Sequence, residues 1–501
     1  MSEDRPTADT RLAAPFRLRD LGGVYLLTNH AGDHVFLEAE ELERFKAGEL
    51  APEDALYQRL RERNFIAREL DTDGMIDTLR QRKSFLGQGP HLHIVIPTLR
   101  CNETCIYCHA SRADMSATET DMSEETAARA VDLALQTTSS DVTIEFQGGE
   151  PLVRFDLLRL IVERAEEKNR EAGKRLQFAL VSNLALMDDE KLDFIMDHRV
   201  QVCTSVDGPA ALHNKQRILA GGDAFEQTRR WVKRINVAYV ERGLDPMLYH
   251  AEALLTITRN TLGRPRDVVD TYLEMGCHSL FLRPMDPFGF AQRSAGKLAF
   301  SPEEYLAFYA EAVDYILELN RQGEQVMERF AAIFLTKILA GTDPNFLDVR
   351  SPCGAGIGQV VYNHDGKIFT CDEGRMVSAM GDDIFQIGTV QESSYGEVVG
   401  HEMVQACVVA SNLDASPDCV NCVYSPYCGL CPVYNYVTQG SLQGRMRDST
   451  LCAIFKGIQD FLFSKLREAD PEVLETLDRW TLVREREHFV HDANREGEDN
   501  E

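Results

Sequence analysis

The stretch Thr98–Arg112, TLRCNETCIYCHASR, places Cys101, Cys105 and Cys108 within eight residues in the spacing C-x3-C-x2-C. Three thiols this close can ligate metal, form a redox pair, or serve as small apolar side chains, and each use makes a different demand. A structural zinc site is closed by four ligands, and only His109 lies nearby as a fourth. Three thiolates on one loop suit a [4Fe-4S] cluster with one iron left open, although four cysteines are the usual set.

Further polar groups follow in order. In GGEP, Gly148–Pro151, two glycines let backbone approach a ligand, and Glu150 or nearby carbonyls can accept from an ammonium. Alone, the tetrapeptide is a turn signal. Ser182 with Asn183, and SVDGP at Ser205–Pro209, each close an expected strand, where the alternative is capping and turn formation. Asp286, in RPMDPFG, stands at another strand end and is the candidate acid/base.

A second cysteine field holds eight of the thirteen cysteines, between Cys353 and Cys452. Cys419-x2-Cys422-x5-Cys428-x2-Cys431 is too ordered for thiols scattered through a core. Spacing does not report the metal, so a two-zinc alternative stays open beside iron–sulfur. CGAGIG, from Cys353, has neither the preceding strand nor the acidic partner of a dinucleotide site. Cys203 and Cys277 are expected to be buried hydrophobes.

These groups need elements to position them. HLHIVIPTL, DVTIEF, RLQFALVS, VQVCTSV, AEALLTITR and SLFLRP read as six strands. Helices are expected at 123–136 with Ser123 as N-cap, 155–172, 188–198, 224–242 and 264–275. The alternation predicts an α/β fold with a parallel sheet, open or as a partial barrel, whose strand ends carry the site. Before it, 16–70 predicts two short strands and helices, a packing appendage or a peptide-docking module. Helices at 302–320 and 323–340 follow the sheet. The expected division is a flexible N-terminus at 1–14, a small α+β module at 15–85, the α/β core at 90–345, a cysteine-rich domain at 346–470, and a helical to disordered acidic tail at 471–501.

The 501 residues are 44% apolar and 27% charged, ordinary for a globular protein, and long enough for several domains. The net charge of −27 argues against a phosphate-backbone partner, so no nucleic acid is expected. With no signal-peptide pattern and no long apolar run, a cytoplasmic protein without membrane attachment is expected. Reducing cytosol keeps thiols free for metals.

The C-x3-C-x2-C loop with Tyr107 before its last cysteine, followed by GGEP and SVDGP, resembles the radical S-adenosylmethionine superfamily. The resemblance implies a partial (β/α)6 barrel of the TIM type. It also implies a [4Fe-4S] cluster on Cys101, Cys105 and Cys108, whose open iron is chelated by S-adenosylmethionine, and reductive cleavage to a 5'-deoxyadenosyl radical. Tyr107, Gly148, Gly149, Glu150, Pro151, Ser182, Asn183, Ser205, Asp207 and Arg217 then border the cofactor. HNKQR departs from the more usual start of its segment, so only Arg217 is carried over, as a carboxylate partner.

The second field resembles the SPASM extension of peptide-modifying radical enzymes, with CGLC one residue shorter than the usual spacing. It implies two auxiliary clusters: Cys353, Cys371 and Cys431, with Cys407 or substrate at an open position, and Cys419, Cys422, Cys428 and Cys452. Together with YLLTNHAGDHVFL, the chain resembles maturases of the His-Xaa-Ser peptide system. That implies a ribosomally made precursor peptide as substrate, hydrogen abstraction and cross-linking, and a reducing donor such as flavodoxin or ferredoxin. A sulfatase-maturase-like formylglycine-generating oxidoreductase is the alternative enzyme. A non-catalytic iron–sulfur electron-transfer protein is the alternative of another class.

Overall fold

The computed structural model describes residues 12–492. Six parallel strands form the core sheet in the spatial order Leu282–Pro284, Glu252–Ile257, Gln201–Ser205, Arg175–Ser182, Asp141–Phe146, Leu92–Val95. Helices Glu124–Ala134, Phe155–Ala172, Asp189–Asp197, Ala224–Glu241 and Pro265–Glu274 alternate with them. This is the expected partial (β/α)6 barrel, its strand ends gathered on one mouth.

Local chemistry sets the helix limits. Ser123, Asp188 and Asp223 accept hydrogen bonds from backbone N–H groups at the starts of three helices. Gly173, at φ 61°, ends the 155–172 helix in the left-handed conformation. That helix buries Leu157, Leu158, Ile161, Val162 and Ala165 against the sheet, at the spacing of one helical face.

Several expectations are corrected. SLFLRP is broken at Phe281: Ser279–Leu280 pairs with Met327–Glu328, and only Leu282–Pro284 joins the barrel sheet. The helix expected from 323 begins at Arg329, because Glu328 turns back to cap it through Ala331 N–H. The N-terminal module has three antiparallel strands, Arg17–Asp20, Val24–Thr28 and His34–Glu38, where two were expected. Leu12–Ala14, assigned to a flexible end, is tied to Phe65 and Ala67 by backbone hydrogen bonds; 1–11 lie outside the described residues.

The sheet also crosses the expected boundary at 345/346. Gln359–Tyr362 adds in parallel to Leu92–Val95, and Lys367–Phe369 and Gln386–Thr389 continue it antiparallel. The tail, expected to run from helical to disordered, opens as a helix. Pro471–Arg479 is helical, and His491–Asp492 pairs with Arg175–Leu176. NREGEDNE lies outside the described residues. Among the described residues no helix is long and apolar enough to cross a membrane.

The N-terminal module is fastened to the cysteine-rich region. Thr28 Oγ1 donates to Val423 O (2.7 Å), Arg17 Nε to Val420 O (2.9 Å), and Tyr427 Oη to Gly32 O (2.8 Å). All three bonds touch the loop between Cys419 and Cys428.

Candidate active site

The cysteine loop leaves the Leu92–Val95 strand and is held on three sides. Glu103–Cys105 forms an antiparallel pair with Arg217–Leu219, which sets Cys105 opposite Arg217. Arg100 makes a bidentate ion pair with Asp121, 2.8 and 2.5 Å. From the neighbouring strand end, Gly149 N–H donates to Thr98 O and Glu150 N–H to Arg100 O. A Cβ on Gly149 would lie 2.3 Å from the carbonyl oxygens of Leu99 and Arg100, so glycine is required for this approach.

The loop borders a cavity of about 250 Å³ over the barrel mouth. Cys101, Cys105, Cys108, Tyr107, Gly148, Gly149, Glu150, Ser182, Asn183, Ser205, Arg217 and Asp286 all line it. Pro151 and Asp207 do not. Pro151 starts the short helical turn behind Glu150. Asp207 is fully buried one layer back, accepting from Tyr107 Oη (2.6 Å), Gln216 Nε2 (3.0 Å) and Arg217 Nε (3.2 Å). It therefore positions the two side chains that do face the cavity. Arg217 also stands over the Tyr107 ring at 5.3 Å and reaches within 3.7 Å of Cys105 Sγ.

Glu150 is nearly fully buried, and its carboxylate accepts from Ser182 Oγ (2.7 Å), Asn183 N–H (2.8 Å) and Leu152 N–H (3.0 Å). Burial pushes its carboxyl up to about 7 against the pull of these donors. Asn183 Nδ2 lies 3.9 Å from Cys101 Sγ.

The thiols suit bound iron. Burial, reinforced by Glu150, pushes Cys101 up to about 12, and burial raises Cys105 well above the ordinary thiol range. Bare thiolates are unfavourable here and need a bound cation in compensation. Asn102 Nδ2, Glu103 Oε1 and His109 Nε2 are buried without hydrogen-bond partners around the same loop.

The opposite wall was missed in the sequence. Arg283, Asp372, Glu373 and Phe288 line the cavity with Asp286. Burial pushes Asp286 up to about 6 and Glu373 to about 8, the latter with help from Asp348 and Asp372. Asp372 and Glu373 directly follow Cys371, a sequence signal for a polar group beside a ligand; the contact itself depends on the sheet extension.

The second field separates into two groups. Cys353, Cys371, Cys407 and Cys431 share one buried cluster with Phe288, Phe385 and Tyr434. Cys371 and Cys431 are N-caps whose Sγ atoms accept from Gly374 N–H (3.3 Å) and Tyr434 N–H (3.4 Å). Cys407 is fully buried beside Cys353, whose thiol feels its charge. Cys419, Cys422, Cys428 and Cys452 instead line a separate small cavity, with Cys431 at its edge. Among the described residues no three of His, Cys, Asp and Glu converge on one ion-sized position. Cys277 is the expected buried hydrophobe. Cys203 is not: half-buried, it shares the inner face of its strand with Ser205, near Glu252 and Glu145.

The Radical SAM superfamily model matches residues 95–250, from the first barrel strand past Arg217. A cysteine-type anaerobic sulfatase-maturating enzyme of Clostridium perfringens is 24% identical over 318 residues, 61% of this chain and 80% of that protein. The structure of native anSMEcpe with bound AdoMet superposes with a TM-score of 0.61 at 20% identity, covering 77% of this chain and 99% of the other. Streptococcus suis SuiB bound to precursor peptide SuiA gives 0.52 at 14% identity, covering 88% and 99%. Family model, barrel and cysteine loop agree over residues 95–250: this part of the chain matches the Radical SAM superfamily, and the chain is an enzyme.

Proposed function

We propose that the protein modifies a ribosomally made precursor peptide, as a maturase of the His-Xaa-Ser type. In this reading Cys101, Cys105 and Cys108 hold the [4Fe-4S] cluster that binds S-adenosylmethionine. Cys353, Cys371 and Cys431, with Cys407, hold an inner auxiliary cluster; Cys419, Cys422, Cys428 and Cys452 hold an outer one. When bound, S-adenosylmethionine and its cluster supply a reductively generated hydrogen-abstracting radical. Gly148 and Gly149 bring backbone to the cofactor, Glu150 presents a carboxylate to its ammonium, and Tyr107 and Arg217 hold the cysteine loop. The N-terminal module is proposed as the peptide-docking unit, and a low-potential donor such as flavodoxin or ferredoxin as the electron source.

The observation that carries the reading is the make-up of the cavity. One wall holds the three loop thiols, and the other holds Asp286, Phe288, Asp372 and Glu373 beside the inner thiols. A peptide side chain inserted there meets both the cofactor and a second redox-competent group. The named precursor peptide SuiA in the SuiB structure supports a peptide substrate for a chain of this fold. Sulfatase maturation is the second reading, favoured by the C. perfringens relative and by Asp286, whose raised carboxyl suits a base at the cavity wall.

Anaerobic reconstitution tests the radical chemistry. Wild type should form 5'-deoxyadenosine with S-adenosylmethionine and dithionite, and Cys105→Ala should not; equal yields would sink the assignment. Three clusters predict about twelve irons per chain. Mass spectrometry of a short His-x-Ser-rich peptide after co-expression should show loss of hydrogen masses. An unchanged peptide, with a sulfatase cysteine or serine converted to formylglycine instead, would select the second reading.

A further inference from the structure

The chain is strongly acidic, with 80 Asp and Glu against 53 Lys and Arg, yet two segments beside the cysteine loop reverse that balance. Residues 209–222 and 287–300 hold Lys215, Arg217, Arg293 and Lys297 and no carboxylate. Arg217 is buried and turned to Asp207, whereas the other three are exposed. Among the described residues none of those three has a carboxylate within ion-pair range. Lys215 Nζ donates to Asn260 Oδ1 (2.8 Å), and Arg293 stands over the Phe290 ring at 5.8 Å.

Both segments lie against the back of the loop. Where Glu103–Cys105 pairs with Arg217–Leu219, Cys105 and Arg217 face the cavity, while Thr104 and Ile218 face solvent side by side, Ile218 being 48% exposed. A single strand of backbone therefore separates the Cys105 side chain from the surface. The helix Phe290–Leu298 holds the loop from its other side: Phe290 N–H donates to Cys108 O (2.9 Å), and Ala291 and Leu298 pack with Tyr107. Arg293 and Lys297, one turn apart, stand on its exposed face. Arg259, also exposed, joins the two segments, since its N–H donates to Leu298 O (2.8 Å) and its neighbour Asn260 receives Lys215. The acids here are Glu304, 3.7 Å from Arg259, Asp223, bonded to Asn214 Nδ2 (2.8 Å), and Asp114 beside Arg112. Cations outnumber them, so the face is positive on an acidic molecule.

We infer that this face, Ile218 with Lys215, Arg259, Arg293 and Lys297, is the docking surface for an acidic electron-carrier protein of the flavodoxin kind. Opposite charge steers such an encounter, and transient redox partners need only a small contact. The carrier's anionic flavin hydroquinone loses one electron and becomes the neutral semiquinone. The group on the cysteine loop gains that electron; no bond forms or breaks and no proton moves. Entry across the Thr104–Ile218 pair leaves the cavity side free for cofactor and peptide. The inference rests on the reading that Cys101, Cys105 and Cys108 hold a [4Fe-4S] cluster.

The test uses full-length, cluster-loaded protein and a bacterial flavodoxin of net negative charge reduced to its hydroquinone. Lys215→Glu, Arg293→Glu and Lys297→Glu in one chain should slow flavodoxin-driven formation of 5'-deoxyadenosine at least about tenfold, and leave the dithionite-driven rate unchanged. A second readout needs no turnover and is taken without S-adenosylmethionine. Carbodiimide, which joins an amine to a carboxylate in direct contact, should link flavodoxin to Lys215 or Lys297, and the links should fade as salt rises from about 0.05 to about 0.5 M. Should the charge reversals lower iron content, Arg293→Gln with Lys297→Gln reads the same field, again with a slower flavodoxin-driven rate. Equal flavodoxin-driven rates in loaded wild type and variant, links confined to other lysines, or a wild type driven by dithionite alone overturn the inference while the cluster reading stands. A variant slowed equally with dithionite also overturns it, because the face would then serve the cofactor or peptide. No 5'-deoxyadenosine from wild type with either reductant overturns both.

Discussion

At the scale of single residues, the site is governed by what lies one layer behind it. Asp207 never touches the cavity, yet Tyr107, Gln216 and Arg217 all lean on it. Asp207→Asn leaves the Arg217 guanidinium buried without its counter-charge, a loss of about 3–5 kcal/mol for a broken buried pair. The expected outcome is a lower melting temperature together with reduced iron at the loop site, with auxiliary iron retained. Ser205→Ala, a change at the cavity wall, should keep both. Glu150 offers a pH signature: with its carboxyl near 7, the group is protonated below that pH and cannot attract an ammonium. S-adenosylmethionine should bind cluster-loaded protein more weakly at pH 6 than at pH 8, and Glu150→Gln should remove the difference; calorimetry at the two pH values decides. The residues of this wall were named by the family resemblance that the cysteine loop, GGEP and SVDGP carry together; their own spacing left capping and turn formation open. The layer of Asp207 was not, because SVDGP has the same letters whether its aspartate faces ligand or core.

At the scale of elements, the barrel was legible because each unit carries its own punctuation. Ser123 and Asp188 cap where their side chains can reach a free N–H, and Gly173 closes a helix whose apolar face is explicit in the sequence. Pairings between distant short segments carry no such mark. The three-residue strands at Glu103–Cys105 and Arg217–Leu219 are joined across more than a hundred residues, and neither has a strand's alternating pattern. The sheet extension by Gln359–Tyr362 was equally silent, and it brings Asp372 and Glu373 to the cavity. The contact between the GGEP turn and the cysteine loop makes a sharp prediction. In Gly149→Ala the new Cβ meets backbone carbonyls, which cannot swing aside as a side chain would, so the loop must shift. Affinity for S-adenosylmethionine should fall at least tenfold by equilibrium dialysis, while circular dichroism and auxiliary iron stay as in wild type. Unchanged affinity would mean that the turn yields, and that its approach is not what frames the cofactor.

At the scale of the whole molecule, chain ends and inserts brace a barrel that remains open at its mouth. The segment after Arg479 returns to the sheet, adds His491–Asp492 to Arg175–Leu176, and sets Arg486 against Glu252. Glu252 is buried inside the barrel with Arg329 at 3.8 Å on its other oxygen. Burial alone would raise its carboxyl, but Arg486 and Arg329 overcome that and hold it at about 2, below its ordinary 4.5. A carboxyl held low in the folded state contributes stability that is complete above about 4.5 and is lost as pH falls toward 2; the shift corresponds to about 3 kcal/mol. Arg486→Met should therefore lower the melting temperature at pH 7 and lose most of that effect at pH 3, where Glu252 in the variant is largely protonated at little cost. The check is thermal unfolding of both proteins across pH 3 to 7. A difference that stays constant over that range would locate the contribution of Arg486 in the packing of its aliphatic stem instead of its charge. The partners of this segment are not marked in its own sequence: Arg484 and Arg486 pair with Asp245 and Glu252, more than two hundred residues away.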